Sequence, residues 1–129
     1  MLIVDSAVWI DFFAGRELPH VQRLDTALLS DQEIGVPDIV RLEILSGVRE
    51  DAALRKITSN LNALRRITAV DGDWDEAAAL YRTCRRNGVT VRSVVDCLIV
   101  RLTVREGALL LANDRDFAMM VPHCKLQLA

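Results

Sequence analysis

The stretch Val94-Val95-Asp96-Cys97-Leu98-Ile99-Val100 is apolar on almost every face of a helical wheel, so as a helix it must be largely buried. One carboxylate lies inside it. A buried charge has to be paired, bound to a cation or neutralised, because desolvation alone costs several kcal/mol or more. Asp96 therefore needs a partner that its own helix does not supply. Two readings of it stand: Ser93-x-x-Asp96 has the spacing of a capping box, and a carboxylate in the first turn also sits where it can join a shared site.

The rest of the chain supplies candidates. Leu2-Ile3-Val4 is a short aliphatic strand that ends in Asp5-Ser6 and passes into a helix over 7–13, closed by Gly15. Ligands of open α/β sheets bind outside that strand edge, although Asp5 or Ser6 equally serves as a helix cap. Ala108-Leu109-Leu110-Leu111-Ala112 repeats the pattern and ends in Asn113-Asp114-Arg115-Asp116-Phe117. Asp114 there is also an ordinary N-cap. Two separate strands that both run into acids favour one shared site.

Between them, 19–29 has the spacing of an amphipathic helix with Val21, Leu24, Leu28 and Leu29 inward. Ile34-Gly35-Val36 is a strand stopped by Pro37. A helix over 38–48 follows, with Ile39, Leu42 and Leu45 expected inward and Val40 and Ile44 as further inward positions. Glu43 on that helix is either a solvated glutamate or a contributor to the acid site. Residues 51–64 form a surface helix, 67–70 a strand, and Asp73-Trp74-Asp75-Glu76 opens a helix that runs to Arg86 and ends at Asn87-Gly88. The acids at that helix start read as structural. Lys125-Leu126-Gln127-Leu128 alternates like a final edge strand.

Strands alternating with helices imply a mostly parallel sheet of four or five strands between two helical layers, a three-layer α/β/α fold. A chain of 129 residues with 51% hydrophobic and 5% aromatic residues forms one domain with an aliphatic core, as a buried parallel sheet requires. Three cysteines, Cys84, Cys97 and Cys124, are odd in number and form no C-x-x-C pair, which suits reduced core residues. No apolar run is long enough to span a bilayer and no basic segment precedes the first apolar one, so a soluble cytoplasmic protein is expected.

The net charge of −2 argues against a nucleic-acid binder. It misleads if Asp5, Glu43, Asp96, Asp114 and Asp116 hold a cation, since setting those five carboxylates aside leaves +3 on the remainder. So many carboxylates on one edge repel one another unless a hard cation joins them. Oxygen donors without a suitably spaced histidine favour Mg²⁺, with Mn²⁺ as the alternative, over zinc. Mg²⁺ is commonly completed by phosphate, which points to a phosphodiester substrate attacked by metal-activated water.

Leu2-Ile3-Val4-Asp5-Ser6-Ala7-Val8-Trp9-Ile10, Leu42-Glu43-Ile44-Leu45-Ser46-Gly47, Val95-Asp96-Cys97-Leu98-Ile99 and Asn113-Asp114-Arg115-Asp116-Phe117, taken in this order, resemble PIN-domain nucleases, and most of all the VapC toxins of bacterial toxin–antitoxin pairs. Any one of these motifs alone is weak. Cysteine at 97 departs from the alanine more usual beside the acid. The resemblance implies a single PIN domain over 1–129 and an Mg²⁺-dependent endoribonuclease that cuts structured RNA such as tRNA or rRNA. It maps catalytic acids onto Asp5, Glu43, Asp96 and Asp114, with Asp116 as an additional metal ligand. Asp5 and Asp96 become direct ligands, Asp114 or Asp116 supports the ion, Glu43 orients or deprotonates water, and Ser6 bonds a ligand carboxylate.

The same resemblance implies a homodimer and a VapB-type antitoxin that places an arginine among the acids, a pairing that suits the guanidinium fork. Trp9, Phe12 and Phe13 either line the antitoxin groove or belong to the core. Arg82, Arg85, Arg86 and Arg92 either track RNA phosphates or form a solvated helix end. Against a phosphoacceptor receiver domain, Asp5 is followed by Ser6 rather than a second acid, and the only lysines are Lys56 and Lys125. A haloacid-dehalogenase-like phosphatase needs an acid where Ala7 stands. A non-catalytic binding module, with every acid a cap or surface group, is the remaining alternative.

Overall fold

Four short aliphatic segments pair in parallel to make the sheet. In the computed structural model, which describes residues 1–129, these are β1 (Leu2–Val4), β2 (Ile34–Pro37), β3 (Arg65–Ile67) and β4 (Leu109–Leu111), in the order β3-β2-β1-β4. The expected fifth strand is reduced to a single parallel bridge. Leu128 lies against Leu110, whose N–H donates to the Gln127 carbonyl at 3.0 Å while the Ala129 N–H donates to the Leu110 carbonyl at 2.8 Å.

The helices are α1 (Ser6–Phe13), α2 (Pro19–Leu28), α3 (Asp38–Ser46), α4 (Asp51–Asn62), α5 (Asp71–Arg86), α6 (Val94–Arg105) and α7 (Arg115–Met120). The chain winds from β1 outward to β2 and β3, then returns across the sheet to β4. Right-handed crossovers therefore put α1 to α4 on one face and α5 and α6 on the other. α1 packs on α2 and α3, and α5 runs along α6 as the most extensive helix pair. Gly15 and Gly88, at φ +72° and +76°, let the chain turn out of α1 and α5.

The core is aliphatic, with Ile3, Val4, Leu24, Ile99, Leu102 and Leu110 fully enclosed beside Trp9, Phe117 and Met120. Burying a side chain of this size contributes roughly 1.5–3 kcal/mol. Gly35 fits where β2 passes β3, since a Cβ there would stand 3.0 Å from both Ile67 Cγ1 and Met1 Sδ. A buried charge fastens α5 to α6. Asp73, fully enclosed, accepts the Val70 N–H at 2.8 Å, Arg101 Nε at 3.0 Å and a further bond from Arg105. Of the acids at the head of α5, Asp73 is thus structural, as the third residue of a helix that starts at Asp71.

Three expectations shift. β3 spans Arg65–Ile67 rather than 67–70, because an edge strand tolerates exposed arginines when they are paired: Arg65 with Glu33 at 2.8 Å and Arg66 with Asp38 at 2.5 Å. α3 turns Val40 and Ile44 to the core and leaves Leu42 61% exposed. That segment is apolar on two faces, and its packing on α1 decides which is covered. Leu29, placed inward by spacing, lies beyond the end of α2 and is 84% exposed. In α6 the segment from Cys97 to Val100 is buried, whereas Val94 is exposed.

Candidate active site

The winding of the sheet reverses beside β1, so the C-terminal ends of β1 and β4 flank the crevice where a doubly wound sheet opens to ligands. The first residue after β1 is Asp5, and Asp114 caps α7 just beyond β4. The Asp5 N–H donates to the Leu111 carbonyl at 2.9 Å, which ties the two strand ends together. α6 begins at the same edge, with Ser93 as its cap accepting the Val95 N–H at 3.3 Å. Asp96 makes no return bond to Ser93, and its carboxylate accepts no hydrogen bond from the protein. The capping-box role is therefore absent.

Carboxylate oxygens of Asp96, Asp114 and Asp116 lie within 4.8 Å of one another. Asp5, at 5% exposure, occupies the N-cap position of α1 without making a capping bond. Burial above all pushes its carboxyl up to about 6; the Ser6 and Ala7 amides oppose this, while Glu43 and Asp114 add to it. Burial likewise lifts Asp96, and with repulsion from Asp5, Asp114, Glu43 and Asp116 its carboxyl reaches about 7. Like-charge repulsion thus links Asp96 to each of the other four predicted acids. Burial also raises Glu43, partly offset by the Ser6 hydroxyl.

Asp116 behaves differently. The Arg92 N–H, acting against burial and helped by the guanidinium, holds its carboxyl below the usual range. The Arg92 N–H and Nε each donate to Asp116 Oδ2 at 3.1 Å, and Nη2 donates to Asp114 Oδ1 at 2.7 Å. Arg92, one of the arginines expected either to track RNA phosphates or to form a solvated helix end, turns onto the acids while staying exposed. Arg82, Arg85 and Arg86 remain exposed on α5, with the Arg85 guanidinium 5.8 Å from the Tyr81 ring centroid. Nothing in the sequence pattern singled out Arg92 from them, because its partners lie more than twenty residues away.

The donor set fits a hard cation. Every convergent group is a carboxylate, and Glu43 Oε1 is buried with no hydrogen-bond partner, a state that a buried oxygen rarely keeps without an ion or water. No cysteine or histidine joins the cluster. Cys97 is enclosed in the core, and His20 Nε2 lies 2.7 Å from Asp11 Oδ2. Both lysines are exposed. A cavity of about 700 Å³, lined by Leu2, Gln22, Arg23, Leu109 and Leu128 among others, contains none of the acids.

Trp9 is 2% exposed, stacked on Phe13 at 5.7 Å and edge-on to Phe12 at 6.0 Å. Of the two readings left open for it, Trp9 takes the core one. Phe12 and Phe13 are partly buried, and Phe13 lines a groove of about 230 Å³ with Ile10, Ile44, Val48 and Ile57. On the other flank, Ile39, Trp74, Val94 and Leu98 line an apolar cavity of about 370 Å³.

Residues 2–120 match the model of the PIN domain. The chain is 32% identical over 133 residues to the VapC ribonuclease Mb1587 of Mycobacterium bovis and, to the same extent, to ribonuclease VapC11 of Mycobacterium tuberculosis; each alignment covers 100% of this chain and 98% of the relative. Among solved structures, VapBC2 from Rickettsia felis bound to a promoter DNA fragment superposes with a TM-score of 0.79 at 17% identity, over 99% of this chain and 96% of that one.

Proposed function

Since the chain belongs to the PIN-domain family and groups with its VapC ribonucleases, we propose that it is an Mg²⁺-dependent endoribonuclease toxin that cuts structured RNA, tRNA or rRNA, in the cytoplasm, and that a VapB-type antitoxin neutralises it. Mn²⁺ is the other cation its oxygen donors admit. The observation that carries this reading is the convergence of Asp96, Asp114 and Asp116 oxygens within 4.8 Å, beside a buried Glu43 oxygen left without a partner.

In this reading Asp5 and Asp96 bind the cation directly, with Asp114 or Asp116 in support. The bound cation offsets the mutual repulsion of the acids and supplies Lewis acidity that makes water a competent nucleophile near neutral pH. Glu43 orients or deprotonates the attacking water, and its burial raises its proton affinity, as suits a base. The Ser6 hydroxyl, buried at the head of α1, steadies Glu43. The exposed Arg82, Arg85 and Arg86 supply positive charge for RNA phosphates.

The groove lined by Ile10, Phe13, Ile44 and Ile57 is the proposed seat of the antitoxin's apolar segment. The exposed face of Leu42, Trp74 and Val94 is the proposed contact with a second copy. An RNA cleavage assay with Asp5→Asn and Asp96→Asn tests the catalytic reading. Both variants are expected to remain folded and to lose at least about 100-fold in Mg²⁺-dependent cleavage, a loss of about 2.7 kcal/mol of transition-state stabilisation. Undiminished cleavage by both variants defeats the assignment.

A further inference from the structure

Arg92 lies in the short link between α5 and α6, four residues before Asp96, and Val91 beside it is buried. From there it reaches both acids that follow β4. Its N–H and Nε take one oxygen of Asp116, and its Nη2 takes one oxygen of Asp114 at 2.7 Å. That Asp114 oxygen also accepts the Asp116 N–H at 2.9 Å. Each acid thus has one oxygen tied down while its other one makes no hydrogen bond within the protein. Asp116 is only 4% exposed, and a carboxylate so enclosed needs a charged partner to stay ionised.

We propose that Arg92 is a positioning residue for the cation site: it fixes the side chains of Asp114 and Asp116 so that their free oxygens stand beside Asp96 before a cation arrives. This rests on the catalytic reading above and adds to it a residue that touches neither cation nor substrate. The geometry favours orientation over competition. The guanidinium is 66% exposed, so water screens its repulsion of an incoming cation, while its directional bonds to a nearly buried acid are not screened in the same way. A lysine cannot reproduce a fork that bonds two carboxylates at once.

The test is Mn²⁺ binding by calorimetry to the full chain, with no RNA present. Arg92→Ala is expected to weaken Mn²⁺ binding roughly 10- to 100-fold, the usual effect of removing a group that orients metal ligands. Arg92→Lys keeps the charge and is expected to lose less but still measurably; it carries the test alone if Arg92→Ala does not fold. Arg101→Ala removes an ion pair to Asp73 elsewhere on α6. It is expected to lower thermal stability and leave Mn²⁺ affinity within about twofold, which separates positioning from general destabilisation. Mn²⁺ affinity that is unchanged or tighter in a folded Arg92 variant overturns the proposal. Asp96→Asn distinguishes the two levels: if it still binds Mn²⁺ like the natural chain, the cation site itself is wrong, whatever Arg92 does.

Discussion

Replacing Asp5 by Asn is expected to stabilise the metal-free protein at neutral pH, even though it removes a residue of the proposed site. Asp5 has its carboxyl lifted from 3.8 to about 6. A raised carboxyl means that the folded state holds its proton more tightly than the unfolded chain. Stability from this group is therefore full below about pH 4 and is lost as pH rises toward 6. At pH 7.5 the ionised form costs the fold about 3 kcal/mol, at 1.36 kcal/mol per pKa unit. Asn avoids that cost but interacts less with the Ser6 and Ala7 amides, which leaves a net gain of about 2 kcal/mol. For a chain of this size that corresponds to roughly 8 °C in Tm.

The assay is thermal unfolding in EDTA from pH 4.5 to 8, for the natural chain and Asp5→Asn. The gap should be widest near pH 7.5 and close toward pH 4.5, where Asp5 itself is protonated. Mg²⁺ should raise the Tm of the natural chain more than that of the variant, because a ligand stabilises only the state that binds it. If Asp5→Asn is less stable than the natural chain at pH 7.5, by a margin that does not change with pH, Asp5 is a structural cap and the reasoning fails.

Two further outcomes follow from the packing. Asp73→Asn leaves Arg101 and Arg105 facing an uncharged side chain at the α5–α6 seam, and should lower stability by about 3 kcal/mol in urea unfolding without altering Mn²⁺ affinity. Since burial of Asp73 is outweighed by Val70, Arg101 and Arg105 and its carboxyl is held low, its contribution is present above about pH 4 and is lost as pH falls below that. Trp74→Glu is expected to convert the proposed homodimer to a monomer by light scattering; a dimer of unchanged size places the second copy elsewhere.

Strand runs ending in an acid, at Leu2–Asp5 and Leu109–Asp114, were legible because they depend on local periodicity and on the parallel topology that alternation imposes. The approach of Asp114 to Asp96 follows from the same logic. Asp116 belongs to the 113–117 motif that carries the resemblance, but the bonds to Arg92 that hold it are ones no local pattern encodes. β3 was displaced because the apolar residues after Arg66 gave a stronger signal than the ion pairs that let Arg65 and Arg66 occupy an edge. The buried face of α3 could not be chosen from a segment with apolar residues on two sides. Asp73 reads as structural from its place at a helix start, but its arginine partners lie 28 and 32 residues away, beyond any local pattern.

Asp114 Oδ1 both starts α7, by accepting the Asp116 N–H, and receives Arg92. The side chain that opens a helix is therefore the same one that faces the cluster, and changes at this position cannot be sorted into architectural and chemical ones by their effect on activity alone. Asparagine is the substitution that separates them, because it keeps an oxygen for the helix while giving up the negative charge. A glutamate keeps the charge but, one methylene longer, carries its oxygens away from the amide they must meet. Among the residues that can start a helix in this way, only aspartate also brings a negative charge to the cluster.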